Sequence, residues 1–141
     1  MQKVDLPASL TTIGEMAFQN TNLNYLDLSK TSVTTIGAMA FQNDKIANLE
    51  LPSTLTTIGE DAFQSNALKI LSIPDSVTEI DANVFADNQL VGVDGGKGLK
   101  TIGDSAFYDN KFGSITIPAD ATYSISSDGA TFDAGVTVNR Y

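Results

Sequence analysis

The stretch LTTIGEDAFQSNALKILSIP, residues 55–74, decides how the chain is read, because close variants of it recur along its length. Aligned on Phe, the copies place Phe18, Phe41, Phe63, Phe85 and Phe107 in one column, with the first interval longer by a single position than the others, which are all equal. Five positions before each Phe stand Ile13, Ile36, Ile58, Ile80 and Ile102; five after it stand Leu23, Ile46, Leu68, Leu90 and Phe112. Two further apolar columns follow: Leu26, Leu49, Leu71, Val93 and Ile115, then Leu28, Leu51, Ile73, Gly95 and Ile117. Gly14, Gly37, Gly59 and Gly103 follow the Ile, with Asp81 in the fourth copy, and Ala17, Ala40, Ala62 and Ala106 precede the Phe, with Val84 the exception. Pro7, Pro52, Pro74 and Pro118 close the L-x-L segments.

A fixed period of roughly 20–29 residues marks a solenoid, in which one coil cannot bury its own apolar stripe and stacks on its neighbours. Two short extended segments are expected per coil. The L-x-L-P piece (25–28, 48–51, 70–73, 114–117) alternates inward and outward residues, and Pro ends it by removing a ladder donor. The T-T-I piece (11–13, 34–36, 56–58, 78–80, 100–102) carries the β-branched residues that suit a pleated surface. Between them, GEDAFQ and its copies predict a single tight helical turn, with Gly releasing the chain from the strand. Thr21, Asp44, Asn66, Asn88 and Asn110 share one polar column, expected to satisfy backbone donors from coil to coil.

The pattern L-x-x-I-G-x-x-A-F-x-x-N-x-L-x-x-L-x-L-P resembles the BspA-like, or treponemal-type, leucine-rich repeat over residues 6–118. It departs from the commoner leucine-rich repeat in placing Asn before the first Leu of the strand, and from its own family in holding Asn where Cys is frequent. The resemblance implies a leucine-rich-repeat solenoid: right-handed coils of short β-strands with single helical turns. It also implies a bacterial secreted or cell-surface protein that adheres to host proteins, matrix or other microbes.

Residues 1–118 are read as five repeats, each roughly 22–23 residues long, within the span such solenoid repeats occupy. Residues 119–141, with Tyr123, Ile125, Phe132, Val136 and Val138 around a turn at SSDG, are read as a β-rich C-terminal cap; the first strand pair of a second domain is the alternative. Gly92, Gly95, Gly96 and Gly98 are read as a kink in a weak fourth repeat, with a bulge or a local binding feature as the alternatives. MQKVDLPASL has no apolar h-region, so Met1 is expected to be an expression start within a longer protein, any signal or anchor lying elsewhere.

The 141 residues carry 8 basic and 17 acidic side chains, a formal charge of −9, with no Cys and no His. Nucleic acid is a poor partner for such a surface, since phosphate neutralisation needs clustered Lys and Arg, and no apolar run approaches a membrane span. Imidazole chemistry, disulfides and the common zinc sites are absent from the sequence. Glu15, Glu60 and Asp104 share a column, so they line a ridge and do not face each other across a cleft as paired catalytic carboxylates would. Neither the EF-hand pattern nor the glycine-rich calcium nonapeptide occurs. The expectation is a non-enzyme with no cofactor and no bound metal.

Contact chemistry falls instead on the outward residues of the L-x-L strand: Tyr25, Asp27, Asn48, Glu50, Ile70, Ser72 and Asp94, with Gly92, Ser114 and Thr116 completing the columns. Strands about 4.8 Å apart would make a strip roughly 20 Å long. The expected partner is a protein recognised through this strip. A spacer displaying neighbouring domains, or a carbohydrate-binding module stacking sugars on Tyr25 and Tyr108, is the alternative. The Thr column of the second strand (Thr12, Thr35, Thr57, Thr101, interrupted by Glu79) is read as a sheet-stabilising ladder.

Overall fold

The structure, a computed structural model, describes residues 2–124 and 129–141. Met1, Ile125 and positions 126–128 of the expected SSDG turn lie outside them. The chain winds as a β-solenoid. Strands β1 (Thr12–Ile13), β3 (Thr35–Ile36), β5 (Thr57–Ile58), β7 (Glu79–Ile80) and β9 (Thr101–Ile102) stack as one five-stranded parallel sheet in that order. On the other side run β2 (Tyr25–Asp27), β4 (Asn48–Glu50), β6 (Ile70–Ile73), β8 (Gly92–Gly95), β10 (Ser114–Ile117) and β11 (Thr137–Arg140). These do not make one strip: they form three parallel pairs, β2–β4, β6–β8 and β10–β11.

No helix forms among the described residues, which corrects the expected helical turn. In GEDAFQS the residues Asp61, Phe63 and Ser65 donate their N–H groups to Ala82, Val84 and Ala86 of the next coil, at 3.0 Å each. A helix would direct those donors back along its own axis. Within the coil, β-turn bonds from Ala62 to Gly59 O and from Gln64 to Asp61 O bend the chain between them. The alternation needs two left-handed residues per copy. Met16, Met39, Asp61, Asn83 and Ser105 take the first place, and Asn20, Asn43, Ser65, Asp87 and Asp109 the second. The short polar side chains that dominate the second place tolerate positive φ best.

Two columns run the length of the core. Phe18, Phe41, Phe63, Phe85, Phe107 and Phe132 stack face to face, with centroids 5.2–5.7 Å apart and ring planes within 20°. Phe41, Phe63 and Phe85 are fully enclosed, and burying such a side chain is worth about 1.5–3 kcal/mol. Beside them climbs the polar column. Asn66 Oδ1 accepts from Ile46 N (2.9 Å), while its Nδ2 donates to Phe41 O (2.8 Å) and Phe63 O (3.1 Å). Asn88 and Asn110 repeat these contacts one and two coils on. The structural ladder expected from the sequence is present.

The same path continues beyond Pro118, where the sequence reading stops the repeat. Thr122 bridges to Thr101, Phe107 N donates to Thr131 O, Phe132 lies on Phe107, and β11 pairs with β10 over four residues. Residues 118–124 and 129–141 therefore follow the path of a sixth, irregular coil. At the place where earlier coils point Leu28, Leu51 or Ile73 inward stands Arg140. Its Nη1 donates to the carbonyls of Pro118 (3.0 Å), Ala119 (3.1 Å) and Ala121 (2.8 Å), and its guanidinium lies 5.3 Å from the Tyr123 ring centroid. The glycines of the fourth copy do not kink the strand, since β8 pairs with β6 in register over four residues. Gly95 and Gly98 serve the turn after it, where an added Cβ would lie 2.3 Å from Ile73 O and 2.1 Å from Asp75 O.

The repeated Gly after Ile has a steric cause. A Cβ on Gly59 would lie 2.8 Å from Ala38 N, and one on Gly37 2.7 Å from Glu15 N. The fourth coil, which carries Asp81 there and Val84 for Ala, shows what a larger side chain does. Asp81 N to Ile58 O is 3.1 Å, against 2.8 Å for the corresponding bonds of Gly37, Gly59 and Gly103, and the Phe63–Phe85 centroids open to 5.7 Å from 5.2 Å for Phe41–Phe63. Gly14 meets nothing within 4 Å. Gly59→Ala is accordingly expected to cost ~1–3 kcal/mol in urea unfolding, as overpacking does, while Gly14→Ala costs nothing measurable. Equal effects of the two would refute coil-to-coil contact as the reason for the glycine column.

Candidate functional site

The outward face of the second strand set carries the residues expected to make contact. Its inward residues, Leu26, Leu49 and Leu71, are buried, so strand alternation drives their neighbours out. The pairs set Tyr25 beside Asn48 and Asp27 beside Glu50, then Ile70 beside Gly92 and Ser72 beside Asp94. Tyr25 and Asp27 are half-buried; Asn48, Glu50, Ser72 and Asp94 are exposed. Ile70 is 70% exposed, the most open of the large apolar side chains among the described residues; Val91, whose N–H donates to Lys69 O from the adjoining coil, is 62% exposed.

The break in the ladder divides these seven residues. Tyr25, Asp27, Asn48 and Glu50 belong to the β2–β4 pair, and Ile70, Ser72 and Asp94 to β6–β8. Between β4 and β6 lies a groove of about 500 Å³, whose walls include Asn48, Leu49 and Glu50 on one side and Lys69, Ile70 and Ser72 on the other. Four of the seven predicted residues thus line one concavity. Ser114 and Thr116 pair with Thr137 and Asn139 at the far end.

Sequence reasoning missed the start of the face. Lys3 and Asp5 extend the two outward columns one coil earlier, where Gln2 O accepts from Asn24 N and Tyr25 N at 3.2 Å. The Lys3 ammonium lies 5.9 Å from the Tyr25 ring centroid and 3.4 Å from Asp5 Oδ1. The signal was VDLP, residues 4–7, which repeats the L-x-L-P strand. One carboxylate column results: Asp5, Asp27, Glu50 and Asp94, interrupted by Ser72. The amide and hydroxyl of Ser29 donate to Asp27 Oδ1 at 2.9 and 2.6 Å and hold its carboxyl below the usual aspartate range.

Thr34, Thr56 and Thr122 turn their hydroxyls to carbonyls of the preceding coil, at 3.4, 3.0 and 3.2 Å, so part of the Thr face is engaged in holding coils together. Glu15, Glu60 and Asp104 stand exposed on alternate coils with Ala38 and Ala82 between them, so they form no facing pair. No three acidic side chains among the described residues are grouped to hold a metal ion. A concavity of about 600 Å³ opens at the sixth coil, lined by Tyr108, Tyr123, Phe132, Asp133, Val136 and Val138 among others. No helix among the described residues is long and apolar enough to cross a membrane.

One acidic contact perturbs its neighbours. Burial, and then the Asp109 carboxyl on the adjacent coil, push Asp87 above the usual aspartate range. Asp120 is held below it by the Lys100 ammonium 3.1 Å away. Asp87 therefore contributes stability that is present below the ordinary aspartate pKa and is lost as pH rises through its raised folded value. Asp27 and Asp120 contribute stability present above that range and lost as pH falls through their lowered values.

The sequence matches the profile of the BspA type Leucine rich repeat region in six copies, over residues 1–92 and 56–129. No curated protein matches the chain. Replacing Asp109 by Asn, which keeps the left-handed backbone position, is expected to raise the melting temperature at pH 7 by the equivalent of no more than ~1 kcal/mol. The gain should shrink as the pH falls through the raised folded value of Asp87 and its carboxyl takes up a proton. An unchanged melting curve at pH 7 would show that the two carboxylates do not repel.

Proposed function

The chain belongs to the BspA-type leucine-rich repeat family, and from that premise we propose that it is a non-catalytic recognition module, secreted or held at the surface of a bacterium. There it adheres to a protein of the host, the matrix or another microbe through its exposed strand face. One observation carries the reading: on that face an Ile that is 70% exposed stands among varied polar and acidic residues, while the inward columns stay apolar from coil to coil. A repeated core with a changing outer column holds a surface constant in shape and free in chemistry. An exposed apolar side chain gains free energy when a partner removes it from water.

The charge agrees with a protein partner over nucleic acid. With 17 acidic and 8 basic residues, the surface repels phosphate backbones. The reading of the module as a non-enzyme rests on its residues: without His or Cys, and with its acids dispersed along coils, the described surface offers no positioned acid–base pair.

The test is binding of the whole chain to a panel of purified extracellular-matrix proteins by surface plasmon resonance, with a Tyr25→Ala/Ile70→Ser double variant alongside. Saturable binding by the native chain is expected to fall about tenfold or more in the variant, with the melting temperature nearly unchanged. Equal binding by both would remove the strand face as the contact surface. Absence of any saturable partner would favour a spacer.

A further inference from the structure

We infer that the groove between β4 and β6 receives an extended peptide segment that presents an apolar side chain beside a Lys or Arg. The inference rests on the reading of the strand face as a protein-recognition surface and narrows it to one place and one partner chemistry.

Three independent features meet at that place. The first is the interrupted ladder. Coils two and three stay joined elsewhere: Ile36 pairs with Ile58, Phe41 stacks on Phe63, Ile46 N–H is held by Asn66, and Ala67 N donates to Ile46 O. Only along the outward strands does the pairing lapse, and the groove of about 500 Å³ occupies that lapse. Two strands that bound a groove without closing on each other suit an occupant that is itself extended.

The second feature is the apolar wall. Ile70 belongs to the groove lining and is 70% exposed, and Leu49 at the floor is 8% exposed. Val91, aligned with Lys69 on the coil beyond, is 62% exposed. An occupant contributing an aliphatic or aromatic side chain would remove this surface from water.

The third is charge. Glu50 is the one carboxylate of the groove lining, and Asp27, its register partner in β2, stands behind it on the coil before. Asp94 stands beside Ser72 in β8, one coil beyond the groove, and Asp5 extends the column at the other end. Lys69 is the one cation of the lining. A segment carrying Lys or Arg meets attraction from this column, and an acidic segment meets repulsion from it as well as from the chain's net charge of −9. The apolar residue fixes position and the basic one selects the partner.

The probes are fluorescein-labelled peptides of four Leu-Lys repeats and of four Leu-Glu repeats, titrated by fluorescence anisotropy into the whole chain. The variants are Ile70→Ser, Glu50→Lys, Tyr25→Ala and, as a charge control on the turn ridge, Glu60→Lys, each checked for an unchanged circular dichroism melt. The expected result is saturable binding of the Leu-Lys peptide, weakened about tenfold or more by Ile70→Ser and by Glu50→Lys and within about twofold of native for Glu60→Lys. The Leu-Glu peptide should not bind. Equal weakening by Glu60→Lys and Glu50→Lys would mean diffuse charge attraction and would overturn the groove. So would binding of both peptides, or of neither. Loss with Tyr25→Ala but not with Ile70→Ser would also overturn it, while leaving the wider strand-face reading intact.

Discussion

Every coil of this molecule must pass its backbone hydrogen bonds to the next, and the asparagine column is the interaction on which that transfer depends. Where the chain bends after each Phe, the backbone cannot pair with itself, and its donors and acceptors face a dry interior. One amide side chain answers both needs. Its oxygen takes an N–H from the preceding coil, and its nitrogen supplies a carbonyl on that coil and another on its own. Each Phe carbonyl between two such residues receives two amides: Phe63 O from Asn66 at 3.1 Å and from Asn88 at 3.0 Å. Leaving a buried polar group unpaired costs about 1–3 kcal/mol, so the bend is stable only while the column is continuous.

Departures from the column show what it requires. Asp44 keeps the accepting half, with Oδ1 2.7 Å from Thr21 N and 3.3 Å from Leu23 N. Its Oδ2 is buried with no partner, because a carboxylate offers no N–H where Asn66 and Asn88 do. Asp133 in the sixth coil again accepts two backbone N–H groups, from Asp109 and Asn110. From the second coil onward the accepting role is thus kept throughout, and the donating role is given up only in the second coil and at the last. Spacing obeys a similar rule, since the Gly column lets coils approach and Asp81 holds its neighbours slightly apart.

Much of this was legible in the sequence because the period forces it. Columns of Ile, Phe and Leu that recur at a near-constant interval can be buried together only by stacking, and each column expected to face inward has its member buried or half-buried in every one of the five repeats. The polar ladder was legible for the same reason. The GEDAFQ turn was not: its left-handed residues are Met, Asp, Asn and Ser, none of which announces positive φ as Gly would. The sixth coil was hidden because Phe132 falls later in the chain than the period after Phe107 would place it, and Arg140 replaces an apolar residue. The strand face was legible residue by residue, through alternation. Its division into three pairs was not, since hydrogen bonding between short outward strands leaves no trace in side-chain identity.

The same division shapes the face: a continuous sheet would present a flat row, whereas the lapse between β4 and β6 makes a concavity with Ile70 on one wall and Glu50 on the other. All of it presupposes that the asparagine column holds the coils in place. Equilibrium urea unfolding of Asn88→Ala tests that directly, because the substitution strands the buried Leu68 N–H while both Phe carbonyls keep a second amide. A loss of ~1–3 kcal/mol is expected. A loss below about 0.5 kcal/mol, the ordinary range of a surface change, would contradict the ladder as the structure's organising interaction.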